Sequence, residues 1–258
     1  MSPHISIKGE TVYELIGFPV TNSFITTILV VICFSFIAHY YYSEIRKETR
    51  SLVFYAIHGL FVGMYGMLES VLRQKINIFY PLLGAFFFFI LLSNWSGLIP
   101  GVGSILIKPQ VQSSEAVVDD EAHEVRIPLL RGGTADLNTT IALALVSVFM
   151  TQIYGFKFLG PSEHLKKYFD FRNPIMIMLG PLEIIQEFAR IISFGFRLYG
   201  NIFAGEVLLT IVPFLLPVFF SFVVAPMFLI ELFVGFVQAL VFVMLSAVFI
   251  NMATTAHH

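Results

Sequence analysis

Long apolar runs separated by short polar connections set the plan of the chain. Asn22–Tyr42 is an uninterrupted apolar run of the length a bilayer core requires, about 20 residues. Tyr40-Tyr41-Tyr42 closes it as an interfacial aromatic belt, with Arg46, Lys47 and Arg50 just beyond. Residues 77–99, centred on Phe86-Phe87-Phe88-Phe89-Ile90-Leu91-Leu92, predict a second span. Residues 138–156 predict a third, with Asp136 a candidate N-cap. Residues 174–212 and 218–253 predict two long final spans; Pro213 and Pro217 flank the turn between them, and Pro226 predicts a bend in the last. Residues 51–75 are apolar but interrupted by His58, Gly59, Gly63, Gly66, Glu69 and Arg73, the pattern of an amphipathic helix lying at the interface. Residues 1–21 form a polar outer segment, 101–137 the one long hydrophilic loop, and 157–172 a short basic loop. The expected fold is an all-α polytopic membrane protein, five transmembrane helices plus one interfacial helix, in a single membrane domain over residues 1–258.

Composition agrees. Of 258 residues, 57% are hydrophobic and 12% charged, and mean hydropathy is +0.84, whereas soluble domains carry about 25% charged residues. The net charge of −2 identifies no partner, because in a membrane protein the distribution matters more than the sum. Residues 1–17 carry Glu10 and Glu14 and lack the basic start of a secretory signal, so the first apolar run is expected to remain as a span. The single cysteine, Cys33, lies inside that run, where it can form no internal disulfide.

Charge distribution orients the spans. Residues 43–75 and 157–172 together hold nine Lys/Arg against five acids, while 101–137 hold three against six. The positive-inside rule places the first two segments on the cytoplasmic or matrix-like side and the acidic loop outside. Five spans then put the N-terminus outside and the C-terminus inside.

Ionisable groups at membrane depth cost about 2.5–3.5 kcal/mol or more and mark ion pathways or buried partners. Such groups gather in residues 183–206. At about 100° per residue, Glu183, Gln186, Arg190, Arg197 and Asn201 fall within roughly 60° of one another on a helix, with Glu206 on the opposite side and about 13 Å further along. Arg197 stays charged at any accessible pH and needs an anion. That anion is an internal acid such as Glu187 or Glu231, or a group on another subunit. Beside a mobile carboxylate, it would drive that group to shed its proton, as ion translocation requires. Arg190, nearer the basic loop, suits a structural role with its head at the surface. Glu231 and Gln238 are seven residues apart and share a face of the last helix. Asn201 and Gln238 are amides that either hydrogen-bond across helices, contacts worth about 0.6–2 kcal/mol in a bilayer, or line a wet cavity. Glu183 shares the Arg197 face and makes a wet path from the basic side plausible.

Enzyme constellations are missing: no Gly-x-Ser-x-Gly, His-Glu-x-x-His, phosphate loop or cysteine-rich metal spacing occurs. His39, His58, His123 and His164 are scattered, and the arginines do not form a nucleic-acid-binding surface. No cofactor, catalytic site or metal site is expected. A self-contained secondary transporter would show an internal repeat with paired broken helices, and the Arg197 stretch has no second copy. A purely structural membrane scaffold is the other rival, distinguished by proton flux insensitive to Arg197→Gln.

The stretch Ser193-Phe194-Gly195-Phe196-Arg197-Leu198-Tyr199-Gly200-Asn201-Ile202-Phe203-Ala204-Gly205-Glu206 resembles the signature of subunit a of the rotary F-type ATP synthases. Asn94-Trp95-Ser96-Gly97-Leu98-Ile99-Pro100, Asp136-Leu137-Asn138-Thr139-Thr140, Gln238-Ala239-Leu240-Val241-Phe242 and Met252-Ala253 extend the resemblance over most of the chain. It implies a non-catalytic stator subunit that conducts protons between two aqueous half-channels and the carboxylates of a c-subunit ring. Arg197 matches the essential arginine between the half-channels. Glu206, Glu231 and Asn94 match positions of the outer path, Glu183 an acid of the inner one, and Gln238 an amide near the arginine. The resemblance further implies peripheral-stalk b subunits and the remaining complex as partners, with the last two helices long and tilted around the ring. It implies an energy-transducing membrane, the bacterial plasma membrane first and a mitochondrial or plastid membrane as the alternative. There are departures. Some bacterial members pair a glutamate at position 206 with a histidine at 231, where this chain has Glu231; two close carboxylates cannot both ionise cheaply, and such a pair also suits sodium. Gly97 replaces an acid common a few residues after Asn94.

Overall fold

The computed structural model describes residues 9–15, 18–99, 102, 105–107, 127–166, 168, 174–215, 222 and 224–255. Six helices dominate: α1 (Asn22–Glu44), α2 (Leu52–Leu72), α3 (Ile76–Ser96), α4 (Leu137–Lys166), α5 (Pro174–Leu215) and α6 (Val224–Thr254). Among the described residues, five helical stretches are long and apolar enough to cross a bilayer: Asn22–Glu44, Leu52–Ser96, Leu137–Leu165, Gly180–Leu215 and Val224–Thr254. The protein is an all-α polytopic membrane protein. Phe24, Ile28, Phe36, Phe188, Ile192 and Phe233 stand exposed on these helices, as lipid-facing or partner-facing side chains do, and Cys33 is exposed among them.

The chain divides into two compact units. The first comprises Met1–His39, Phe89–Leu137 and Tyr199–Gln238. It carries two antiparallel strand pairs: β1 (Thr11–Leu15) with β2 (Phe18–Thr21), and β3 (Leu106–Ile107) with β4 (Ile127–Pro128). Asn22 ties them to α1. Its Oδ1 accepts from the Glu10 and Ser23 amides at 3.2 and 2.8 Å, and its Nδ2 donates to the Pro128 carbonyl at 3.2 Å. Thr21 caps α1 by accepting from the Phe24 amide at 3.2 Å. At the end of α3, Asn94 Nδ2 donates to the Gly235 carbonyl (2.9 Å) and Trp95 Nε1 to the Leu232 carbonyl (3.1 Å), joining α3 to α6.

The second unit comprises Tyr40–Phe88, Asn138–Leu198 and Ala239–His258. Its core is aromatic: Phe194 packs on Phe242 and Phe249 with ring centroids 5.1 and 5.7 Å apart, and Phe86 on Phe242 at 5.8 Å. Small residues let the helices approach. A Cβ on Gly195 would stand 3.0 Å from Ile141, and buried Ser147 and Ser246 hydroxyls bond at 2.8 Å. Lys75 Nζ donates to the Thr254 carbonyl and hydroxyl at 2.9 and 3.0 Å, capping the end of α6.

Several boundaries differ from expectation. The helix expected over 51–75 forms as α2, capped by Ser51, whose side chain accepts from the Phe54 amide. Its outer face is apolar, however: Leu52, Val53, Tyr55, Val62 and Met67 are exposed, while Phe54, Met64, Leu68 and Leu72 are buried. The third span was expected to end near 156, with 157–172 as a loop; the helix instead runs up to Gly160, where it breaks, and a further short helical segment follows to Lys166. Gly160 has φ 80°, a conformation other residues resist, and Pro161 follows it. The last helix is described from Val224, and its expected start at 218 lies outside the described residues. The polar outer segment holds a hairpin. Residues 1–8, Pro217, His123 and most of loop 101–137 lie outside the described residues.

Candidate functional site

In the first unit a cavity of about 360 Å³ is lined by Asn94, Arg131, Glu206, Thr210 and Glu231, among others. Val102, Pro128 and Leu130, from the loop expected on the outer side, also line it. Sequence reasoning passed over Arg131, counting it only toward that loop's charge. Its guanidinium is nearly buried, 6% exposed, and grips Glu206. Nε donates to Oε1 and Oε2 at 3.1 and 3.2 Å, and Nη2 to Oε2 at 3.1 Å. The Arg131 amide donates to Thr26 Oγ1 on α1 at 3.2 Å, fixing the backbone that carries it. The following glycines allow this approach: a Cβ on Gly132 would stand 3.4 Å from the Gly97 Cα, and one on Gly133 only 2.9 Å from Thr27 Oγ1. An arginine between Leu129-Leu130 and Gly132-Gly133, just ahead of a span, was the signal available in the sequence.

Glu231, on α6, is 8% exposed, and among the described residues no hydrogen bond reaches its Oε1. Its carboxylate lies over Gly205, where any Cβ would collide with it. Glu206 and Glu231 therefore border one cavity, one held by a guanidinium and the other with an oxygen free. Asn94 is fully engaged: besides the bond to Gly235, its Oδ1 accepts from Thr134 Oγ1 at 2.7 Å. Further along α6, Gln238 Oε1 accepts from Asn201 Nδ2 at 2.7 Å. The expected bond across the last two helices thus joins these two amides.

The second unit holds Arg197, Arg190 and Glu183. Arg197 is exposed on α5 and donates to Ser193 Oγ at 3.4 Å. Among the described residues no carboxylate is paired with it. Glu187 is taken by Arg190, whose Nη1 lies 2.9 Å from Oε2 while the guanidinium carbon sits 3.7 Å from the Phe249 ring centre. This pairing replaces the expected snorkelling and gives Arg190 local structural work. Glu183 is half-buried. Nearby, Gln152 Oε1 accepts from the Tyr168 hydroxyl at 3.1 Å and bonds His164 Nε2 at 2.8 Å. Burial and the negative charge of Glu187 raise the Tyr168 phenol above its ordinary value. Among the described residues no cluster of His, Cys, Asp and Glu could hold a metal ion.

Residues 22–251 match the family described as ATP synthase A chain. ATP synthase subunit a, sodium ion specific, of Propionigenium modestum is 33% identical over 238 residues, covering 91% of this chain and 74% of that protein. ATP synthase subunit a 2 of Bradyrhizobium sp. (strain BTAi1) is 32% identical, covering 76% and 73% respectively. ATP synthase subunit a of Desulforamulus reducens is 31% identical, covering 81% and 69%.

Proposed function

The chain belongs to the ATP synthase A chain family, and from this we propose that it is the proton-translocating stator subunit of a rotary ATP synthase. It has no catalytic site of its own in this reading; phosphoryl transfer belongs to partner subunits. The observation that carries the reading is Arg197: an exposed guanidinium on a spanning helix with no carboxylate paired to it among the described residues. A charge so placed needs an anion from outside the chain. A carboxylate on each passing c subunit supplies it, loses its proton beside Arg197, and regains one once past it. The cavity bordered by Glu206, Glu231 and Asn94 serves as the outer half-channel, and Glu183 marks the inner one. The Asn201–Gln238 pair braces α5 against α6. The exposed apolar face of α5, Phe188 and Ile192 included, packs on the ring, and α2 lies along the inner surface. The b subunits of the peripheral stalk and the rest of the complex hold the chain still. The bacterial homologues favour the bacterial plasma membrane as its site.

Sodium is the second reading, favoured by two carboxylates in one cavity and by a relative named as sodium ion specific. The deciding experiment is ATP-driven acidification of inverted vesicles carrying the whole complex, with Arg197 intact and as Arg197→Ala. Pumping is expected to vanish while the complex still assembles. Normal pumping by the variant would reduce Arg197 to a structural residue. ATP-driven sodium uptake into the vesicles that survives proton uncouplers would transfer the reading to sodium.

A further inference from the structure

We propose that Arg131 is a positioning residue of the outer cavity, locking Glu206 in a permanent ion pair so that Glu231 alone hands ions between the outer medium and the rotor. The proposal rests on the half-channel reading above and divides labour between its two acids.

Three donor contacts from Nε and Nη2 cover both oxygens of Glu206. Charge-assisted forked contacts are about twice as strong as neutral ones, and a guanidinium cannot give up its proton to relieve the charge. Were Glu206 to take up a proton, a nearly buried cation would lose these charge-assisted contacts. The cation itself cannot follow the ion, because its amide is bonded to Thr26 and its flanking glycines are pressed against Gly97 and Thr27. Glu231 is built in the opposite way. It is buried, among the described residues its Oε1 lacks a hydrogen bond, and its carboxylate lies directly against Gly205, which has no side chain to hold it. It can take or lose an ion without breaking a bond within the protein. Among the described residues the charged side chains lining the cavity are Arg131, Glu206 and Glu231, so one cation faces two acids and grips one of them.

The test uses inverted vesicles carrying the whole complex, with pumping normalised to assembled complex. Arg131→Gln is expected to lower pumping about tenfold or more, because it releases the Glu206 carboxylate to move and to compete with Glu231 for ions. Adding Glu206→Gln removes the competing acid and should recover most of the loss. Adding Glu231→Gln instead should recover nothing. Wild-type pumping by Arg131→Gln would overturn the proposal, as would a Glu206→Gln double variant that assembles yet pumps no better than the single. Should Arg131→Gln fail to assemble, the double variant decides: restored assembly and pumping support the pairing, and failure of either overturns it. Arg197→Ala in the same series reports separately on translocation. If it pumps normally, the half-channel reading falls, whatever the Arg131 variants show about the pairing.

Discussion

Replacing Gly205 with alanine tests the close seat of Glu231 through a single methyl group. Gly205 lies on α5 directly beneath the Glu231 carboxylate, and its added Cβ would overlap that group. The carboxylate has to swing away, because the alternative is to part α5 from α6, which the Asn201–Gln238 bond at 2.7 Å resists. Overpacking of this kind costs about 1–3 kcal/mol. At about 1.4 kcal/mol per factor of ten, Glu231 should occupy its present position roughly 5- to 140-fold less often. Helix propensity works the other way, favouring alanine over glycine by about 1 kcal/mol, so the complex should still assemble. The expected signature is therefore normal assembly with ATP-driven acidification reduced by about an order of magnitude. Shortening the acid in the same background, Gly205→Ala with Glu231→Asp, withdraws the carboxylate by one methylene and should regain part of the rate. Contacting residues couple by about 0.5–3 kcal/mol in double-mutant cycles, and the coupling here should be favourable. Full pumping by Gly205→Ala, or additive losses in the double variant, would show that the seat of Glu231 does not matter.

Asn94→Leu should loosen the join between α3 and α6. It removes bonds of 2.9 Å to the Gly235 carbonyl and 2.7 Å from Thr134, each worth about 0.6–1.7 kcal/mol in a membrane protein. The temperature at which the detergent-solubilised complex releases this chain should fall by several degrees; an unchanged release temperature would mean that the Asn94 bonds are energetically idle. Tyr168 gives a pH-dependent signal. Because its phenol is raised in the folded protein, the unfolded chain deprotonates first, so its contribution is intact below pH about 10 and fades as pH climbs from there through the folded value. Ultraviolet titration of the intact protein should show Tyr168→Phe removing a late-titrating phenol, and loss of an early one instead would contradict its burial.

Features resting on a run of apolar residues were legible, and those resting on contact between distant segments were not. The helices α1, α3, α5 and α6 follow from runs long enough to cross a bilayer. The end of α4 was misplaced because lysine and glycine at 155–160 look like a loop, whereas the helix breaks only where Gly160 adopts positive φ ahead of Pro161. The outer hairpin of β1 and β2 escaped notice because strands of five and four residues carry little periodicity.

The polar residues divide in the same way. Helical spacing alone brought Glu231 and Gln238 to one face of the last helix, and the structure adds the Asn201 partner. Arg131 stayed hidden because its partner is 75 positions away and its setting, a hydrophilic loop, gives an arginine an ordinary reason to be there. Its burial comes from Gly97, Gly132 and Gly133, which let a loop press against α1 and α3. An arginine in a polar loop beside paired glycines is therefore a stronger signal than its composition suggests. Paired glycines permit close backbone approach, and an arginine carried into such an approach must find an acid or remain stranded. Applied to this chain, that rule selects Arg131 from the three cations of residues 101–137 and directs the search for its acid to the spans, where Glu206 stands.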